Sequence, residues 1–259
     1  MGTRRQGNRD EGELIARLRL KDKTAAIIGA VFVYPLSMLR ALAAIALILV
    51  APALRAACGD APEPGVDWSG CSKERLVLAK ASLRNAKFER AILTGMNFIS
   101  ADLSGANFAS AELNRASFRS ANLEGARFDK AVAVRSNFSS ARLGGASLEK
   151  VEFVRCNLSG ALLKGAKLSK GDFGRSVFDK ADLSDADLRF SNLARTGLSG
   201  AKLAGADLSS AFTLYTRFHG TDLSGVKGLT QAQLDISCGD ANTRLPAGLK
   251  KPASWPCAE

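Results

Sequence analysis

The sequence contains few residues whose type and spacing could support catalysis. Its single histidine, His219, falls at an outward position late in the chain, where a solvated side chain is the ordinary role. Serine and aspartate are abundant but recur as members of a repeated unit, with no base placed beside a nucleophile. No glycine-rich segment lies between a strand and a helix, so the glycines are turn residues rather than a phosphate cradle. These observations predict a protein that is not an enzyme and uses no cofactor or metal.

The five cysteines are a second group of reactive side chains. Four lie outside the repeats, and in an exported chain they predict two disulfides. Proximity along the sequence favours Cys58 with Cys71 and Cys238 with Cys257, among three pairings open to four cysteines. Metal binding is the other use of these four, although their spacings match no zinc pattern. Cys156 takes the place of an inward alanine and is predicted to be a buried, unreactive thiol.

Basic residues form the third group, because arginine recurs at a constant interval through the middle of the chain. This series predicts a vertical ridge, and a neighbouring corner adds lysines at the same interval: Arg115, Arg135, Arg155, Arg175, Arg195; Lys130, Lys150, Lys170. One interpretation is a solvated ridge, since Asp129 and Glu149 adjoin two of the lysines and surface charge pairs are common and weak. The other is an anion-binding face, because stacked like charges repel and a polyanion would relieve the repulsion.

A repeat of five residues positions all of these side chains. From Leu78 to Leu223, Leu or Phe occupies every fifth position, and only Ala133 and Thr213 depart among 30 positions. A smaller residue, mostly Ala, lies two positions before each. A period of five fits neither standard element, since five residues advance about 500° on an α-helix and alternate faces on a strand. The pattern predicts a chain that bends once per repeat and winds as a solenoid.

The repeated segments resemble the A(D/N)LXX unit of the pentapeptide-repeat proteins, most clearly at Ala101–Gly105, Ala121–Gly125 and Ala206–Ser210. This resemblance implies an all-β solenoid, a right-handed quadrilateral parallel β-helix in which four repeats make a 20-residue coil. The Leu or Phe would point into the core with the Ala-type residue beside it, while the other three positions face out. The expected rod has seven to eight coils and a length on the order of 36 Å, at ~4.8 Å per coil.

The arginine series supports the 20-residue coil independently, because its interval equals four repeats. That register also places Phe153 and Phe173 one and two coils after Ala133, in the same column. We expect the two rings to lean into the space that the small alanine leaves.

Charge and composition divide the chain into four segments. The formal charge is +5 over residues 1–57, with nine basic and four acidic residues, and +6 over residues 58–259, with 27 basic and 21 acidic. We predict a basic leader at 1–57, an N-terminal cap at 58–75, the β-helix at 76–227 and a C-terminal cap at 228–259. The caps cover the ends of the core, and Thr230 to Gln233 predicts a capping box that opens a short helix.

The leader has two main interpretations. The first is a signal peptide at 38–57, with Arg40 in its basic region, Ala41–Val50 as its apolar core and small residues for cleavage at Ala51, Ala53 or Ala56. Met38 would then be the natural start. The second is a retained membrane anchor over residues 24–54 with the basic leader held inside. Pro35 and Arg40 divide that run into two halves, each shorter than a membrane-spanning helix needs, which favours cleavage.

A lipid anchor on Cys58 is a third interpretation. The segment Arg55-Ala56-Ala57-Cys58 is similar to a lipobox but has Arg55 where lipoproteins have Leu. All three interpretations place the repeats outside the cytoplasm, and we predict a periplasmic protein, or a membrane-anchored one if the leader is retained.

The leading functional hypothesis is an exported interaction or structural module at the bacterial cell envelope. The alternative is an anion-binding envelope protein that uses the arginine ridge, with an envelope protein or an anionic envelope polymer as partner and no nucleic acid. The family resemblance also implies a third function, in which an acidic rod mimics DNA and binds gyrase. That function depends on negative charge in the cytoplasm, whereas these repeats are basic and the chain is predicted to be exported.

Self-association is a separate question. Caps at both ends oppose end-to-end stacking of coils, so the expected state is a monomer. Four outward apolar residues near the last coils form the alternative, a small dimer patch: Phe190, Phe212, Leu214, Tyr215.

Overall fold

The structure, a computed structural model, describes residues 58–257. The leader at 1–57 lies outside the described residues, and with it the signal peptide predicted at 38–57 and the alternative membrane anchor. Residues 258 and 259 lie outside them too. Within the described part, no helix is long and apolar enough to cross a membrane.

The repeated unit satisfies its backbone hydrogen bonds in a way that explains its sequence. In the segment Ala101–Gly105, the N–H of Ala101 donates to the carbonyl three residues earlier, and that of Asp102 donates to the preceding coil. The N–H groups of Leu103 and Gly105 donate to the following coil. The remaining N–H, on Ser104, donates to the Asp102 side chain at 3.2 Å. An Asp or Asn is therefore favoured at the second position because its side-chain oxygen accepts the one N–H that the ladders leave over.

The fifth residue of each repeat turns the corner. From Gly70 to Gly220, every residue at this position has a positive φ, and most of these residues are not glycine. The left-handed conformation bends the chain after each short bridge, so that no strand exceeds one bridge residue. The bend at every fifth residue is the physical origin of the sequence period.

Parallel bridges fix the coil at four repeats. They run without a change of interval from Asp67 with Lys87 to Asp207 with Lys227, which is eight coils. Beyond that point the bridges of Arg217 with Cys238 and of Asp222 with Arg244 span longer intervals, because the chain leaves the regular repeat. The fold is the right-handed quadrilateral parallel β-helix that the sequence predicted.

Aromatic columns fill much of the N-terminal half of the core. The ring of Phe118 stacks on Phe98 at a centroid distance of 4.9 Å and on Phe138 at 4.7 Å. Phe153 stacks on Phe138 at 5.0 Å and meets Phe128 edge to face at 5.9 Å. Phe138 and Phe128 belong to the coil of Ala133, so the Phe153 ring packs against two rings of that coil.

Phe173 fills a different space. Its ring lies where a Cβ on Gly171 would stand, with ring atoms 2.6 and 2.8 Å from that position. Gly171 occupies the inward Ala-type position of the same repeat, so the room for this ring comes mainly from the missing side chain two residues before it.

The first repeat, residues 66–70, and the residues before it close the N-terminal end of the core. Val66 and Trp68 are buried there, and the Trp68 ring meets Phe88 edge to face at 5.9 Å. The indole N–H donates to the Asp60 carbonyl at 3.2 Å, and the Lys73 ammonium lies 4.6 Å from the ring centroid. These contacts cover the first coil with a large ring and leave its polar atoms satisfied.

Helix α1, Gln231–Asp235, begins the C-terminal cap. Its capping box is confirmed: the Thr230 side chain accepts from the Gln233 backbone, and the Gln233 side chain accepts from the Thr230 backbone. Leu234 of this helix is buried in the core. The Trp255 ring covers Gly239, and its indole N–H donates to the Ser237 carbonyl at 2.8 Å.

Candidate binding groove along the arginine ridge

Five arginines stand one above another along one corner of the rod. We call this set the Arg ridge: Arg115, Arg135, Arg155, Arg175, Arg195. Each occupies the left-handed corner position, with φ between 57° and 60°, and each side chain is exposed. At ~4.8 Å per coil the ridge is about 19 Å long.

A shallow groove of about 790 Å³ runs beside the Arg ridge, and all five arginines line it. Its floor is one column of residues at the fourth repeat position, one per coil. It begins with the polar Thr94 and Asn114 and continues with five apolar or small residues: Val134, Val154, Gly174, Ala194, Leu214. Asp172 and Asn192 line it on the other side. The groove extends from Thr94 to Leu214, six coils, or about 29 Å.

The backbone of the floor is largely occupied by the fold itself. The carbonyls of the five apolar or small floor residues all accept the backbone N–H of a ridge arginine one coil earlier, at 2.8 to 3.0 Å. The N–H groups of Val134, Gly174 and Ala194 donate to Asn or Asp side chains. Hydrogen bonds to a ligand would therefore come from side chains on the rims, while the floor offers apolar contact.

The Arg ridge lacks acidic partners, unlike the arginines at several other positions of the described part. Elsewhere Arg142 contacts Glu124 at 2.6 Å and Arg189 contacts Asp187 at 2.8 Å. None of the five ridge arginines lies within 4.0 Å of a carboxylate among residues 58–257. The ridge is thus a row of cations that the described part of the chain does not neutralise.

Comparison with protein families identifies the repeat. The family model described as pentapeptide repeats, in eight copies, matches residues 77–115, 97–132, 111–149, 156–193 and 191–227. Together these segments cover more than half of the chain. The chain belongs to the pentapeptide repeat family.

Several solved structures are similar to this pentapeptide repeat protein. HetL, involved in heterocyst differentiation regulation in the cyanobacterium Nostoc sp. strain PCC 7120, is 25% identical over 73% of this chain and 89% of its own, with a TM-score of 0.40. QnrB1, a plasmid-mediated fluoroquinolone resistance protein, is 18% identical over 70% and 91%, with a TM-score of 0.43. A thylakoid lumen protein of Arabidopsis thaliana is 28% identical over 42% and 66%, with a TM-score of 0.20. Among curated proteins, none matches the chain.

The lysine series of the pentapeptide repeat protein lies outside the groove. Lys130, Lys150 and Lys170 occupy the preceding corner, again with positive φ, and do not line the groove with the Arg ridge. Asp129, which adjoins Lys130 in sequence, contacts Arg127 at 3.4 Å instead. The sequence analysis therefore grouped the lysine corner with the arginine corner, whereas only the arginine corner lines the groove.

Aromatic side chains lie at the C-terminal end of the same wall. Tyr215 follows Arg195 in the corner column, and the Arg195 guanidinium lies 5.8 Å from its ring centroid. Phe190, Phe212 and Tyr215 are each about half exposed, at 59%, 49% and 53%. Leu214, which the sequence analysis assigned to a dimer patch with these three, is part of the groove floor.

The cysteines are placed at the two caps and in the core. Cys58 pairs with Cys71 and Cys238 with Cys257, with Cα atoms 5.6 and 5.5 Å apart, the pairs that proximity favoured. Cys156 is a buried free thiol, and burial raises its pKa to about 12. A thiol with this pKa is protonated at neutral pH and is a poor nucleophile or metal ligand.

A buried ladder of hydroxyl groups surrounds Cys156, and the sequence analysis did not anticipate it. Residues in the same inward column donate to a carbonyl 23 residues earlier, at 2.6 to 2.9 Å: Ser136, Ser176, Thr196, Thr216. The Cys156 thiol donates to the Ala133 carbonyl in the same manner. The available signal was the run of Ser, Cys and Thr, one per coil, directly after each ridge arginine from Arg135 on.

The remaining candidates form no site. His219 is partly exposed, and its carbonyl accepts the Gly200 N–H of the coil ladder. Among residues 58–257, no group of three or more His, Cys, Asp or Glu side chains is arranged to hold a metal ion. The groove along the Arg ridge is the feature that best fits a binding role.

Proposed function

We propose that this pentapeptide repeat protein is a non-enzymatic interaction module of the cell envelope that holds an extended anionic partner along the Arg ridge. One observation carries the proposal: five exposed arginines stand in a row beside a groove, with no acidic partner among residues 58–257. The +6 charge of residues 58–259 supports a partner of negative sign and opposes a role as a DNA mimic.

The physical reason is cooperative neutralisation. A single exposed charge pair contributes only about 0.2 to 1 kcal/mol. Five arginines at coil spacing raise the local positive potential together, so a polyanion gains from each pair and also relieves their mutual repulsion. A monovalent anion gains the energy of one charge pair only. Extended anions are therefore the preferred class of ligand.

Two features support export. The pairing of Cys58 with Cys71 and of Cys238 with Cys257 is typical of an oxidising compartment, such as the bacterial periplasm. The basic and apolar leader supplies a signal peptide at 38–57, or an anchor if it is retained. A lipid anchor on Cys58 would also imply export but excludes the disulfide with Cys71, because the same sulfur cannot hold both a thioether-linked lipid and a disulfide.

Neutralising the centre of the Arg ridge tests the anion-binding function. The variant R135Q/R155Q/R175Q keeps long polar side chains at the three left-handed positions, so the corner geometry is preserved. We expect it to elute from heparin and from immobilised lipopolysaccharide at a salt concentration well below that needed for the unaltered protein.

The matched control is K80Q/R119Q/K180Q, which removes three exposed cations from a different wall. Lys80 and Lys180 are also left-handed corner residues, with φ of 62° and 59°. Equal losses of retention in the two variants would show that net charge alone causes binding and would overturn the assignment to the Arg ridge.

Mass spectrometry of the protein purified from its own cells tests export. A mature chain that starts near Cys58 and is about four mass units lighter than its fully reduced form is expected, because each of the two disulfides removes two hydrogens. An intact chain with five free thiols would contradict both the predicted localisation and the cap disulfides.

A further inference from the structure

We infer that the groove along the Arg ridge takes an extended acidic peptide segment of a partner protein, in which acidic and apolar residues alternate. This inference rests on the proposed anion-binding function and specifies its ligand. It follows from the chemistry of the floor, the shape of the groove and the length of the Arg ridge.

The chemistry of the floor favours a peptide over a polysaccharide. Val134, Val154, Ala194 and Leu214 present aliphatic side chains, and the floor carbonyls are already bonded to ridge N–H groups. Sugar hydroxyls placed against this floor would lose water without gaining hydrogen-bond partners, which is unfavourable. Apolar side chains of a peptide would instead bury their surface and that of the floor.

The size of the groove favours an extended chain over a helix. The groove is long and shallow, with about 790 Å³ along about 29 Å of the rod. An α-helix with side chains is about 10 to 12 Å across and would stand largely outside such a groove. An extended chain, which occupies about 5 Å between neighbouring strands, is thinner and can lie along the floor.

The length of the Arg ridge sets the spacing of the ligand. In an extended peptide, side chains on one side recur at about 6.6 Å, so about four acidic residues span the ridge of about 19 Å. The alternate side chains then point toward the floor. Asp172 lies on the opposite rim and already accepts from Gly174 and Asn192, so its negative charge favours acidic side chains on the ridge side only.

Main-chain pairing does not contribute to this binding mode. Parallel ladders already use the N–H and carbonyl groups of successive coils on this wall. The ligand would therefore be recognised through its side chains, by charge at the Arg ridge and by apolar contact at the floor. Removal of either part should weaken binding, and the two parts can be changed separately.

The test measures binding of three fluorescent octapeptides to the full chain in nonionic detergent by fluorescence anisotropy. The sequences alternate Glu with Val, Glu with Ser, and Lys with Val. We expect the Glu-Val peptide to bind at least tenfold more tightly than the Glu-Ser peptide and the Lys-Val peptide not to bind. A heparin oligosaccharide is the fourth probe and represents the polysaccharide alternative.

Two variants separate floor from ridge. V134T/V154T keeps the shape of the floor and adds hydroxyl groups. It should weaken binding of the Glu-Val peptide at least fivefold and leave binding of heparin unchanged. R135Q/R155Q/R175Q should weaken the binding of both probes. The control V77T/V177T places the same change on another wall, where Val77 is 72% exposed, and should alter neither.

The outcomes distinguish the inference from the proposed function. Heparin binding that depends on the Arg ridge, with equal affinity for the Glu-Val and Glu-Ser peptides, would overturn the peptide inference and leave the anion-binding function standing. Absence of binding by all four probes would overturn both. A Glu-Val preference that V134T/V154T does not reduce would show that the peptide binds away from the groove, against the inference.

Discussion

The inner phenylalanine column and the outer Arg ridge share the same spacing of one residue per coil but have opposite energetic consequences. Inside, Phe98, Phe118 and Phe138 stack ring on ring at 4.9 and 4.7 Å. Outside, at the corner that precedes these phenylalanines along the chain, ridge arginines repeat like charges at the same interval. Stacking identical residues stabilises the coil when they are apolar and buried, and opposes it when they are charged and exposed.

The comparison indicates a division of roles between the two columns. The interior supplies the apolar burial that holds the coils together, and the buried hydroxyl ladder satisfies its own polar atoms. The Arg ridge contributes neither burial nor an ion pair to the described fold. Apart from the contact of Arg195 with the Tyr215 ring, its side chains are therefore available to a partner without a structural role to preserve.

The largest effect is expected from the interior column. Phe118→Ala removes a fully buried ring that contacts rings in the coils on both sides, and should lower the free energy of unfolding by about 3 to 5 kcal/mol. Urea unfolding followed by circular dichroism measures the loss. Heparin retention of the folded fraction should not change, because the ring is buried in the core and does not line the groove. A loss below about 1 kcal/mol would contradict the stabilising role of the column.

Much of the fold follows from the sequence because the repeat encodes its own geometry. The series from Leu78 to Leu223 identifies the inward positions, and the arginine interval gives the coil length. The Asp or Asn position is explained by one backbone N–H that each repeat leaves over, as at Asp102. Rotation of the Phe173 ring over Gly171 was not predictable, because it depends on side-chain packing within one coil rather than on the register.

The candidate site was only partly predictable for a related reason. The sequence placed the Arg ridge, and its five arginines do line one groove. It did not connect them with Gly174 and Ala194, since small residues carry no signal of their own. A depression forms only where several coils in a row have small or apolar side chains beside long ones, which is a property of the assembled wall.

The disulfides at the caps should have the next largest effect. Cys238 and Cys257 close a segment of 19 residues, for which a loss of about 3 kcal/mol is expected when both are replaced by Ser. Hydrogen exchange should show faster opening of the last coils and little change around Phe118. Uniform destabilisation along the rod would contradict a local cap role and would show that the coils unfold as one unit.

Acid should weaken the hydrogen bonds on the outer surface of the coils more than the packing of the inner phenylalanine column. Hydrogen bonds from Ser184, Ser209 and Ser224 lower the pKa values of Asp182, Asp207 and Asp222 below their usual range. Since the folded-state pKa is the lower one, these carboxylates contribute stability above about pH 4, and the contribution is lost as pH falls through the folded pKa.

The variant D182N/D207N/D222N tests this contribution. Asn occupies the same position and accepts the same backbone N–H at Asn97 and Asn137, without titrating. Between pH 5 and pH 2.5 the Tm of the variant should therefore fall by less than that of the unaltered protein. Equal decreases would show that the three carboxylates do not cause the acid sensitivity.

The smallest expected effect is the one that most directly tests the Arg ridge. If the stacked arginines repel one another, R135Q/R155Q/R175Q should change Tm by no more than about 2 °C, in the direction of greater stability. Sodium chloride screens the repulsion, so raising it from 0.05 to 0.5 M should increase the Tm of the unaltered protein more than that of the variant.

The control K80Q/R119Q/K180Q has the same net charge as the ridge variant and should keep the salt response of the unaltered protein. The same reduced response in both triple variants would mean that the overall positive charge, rather than the stacking of arginines at one corner, produces the repulsion. In that case stacking of identical residues would affect stability in the interior column only, and the Arg ridge would be a set of independent, solvated cations.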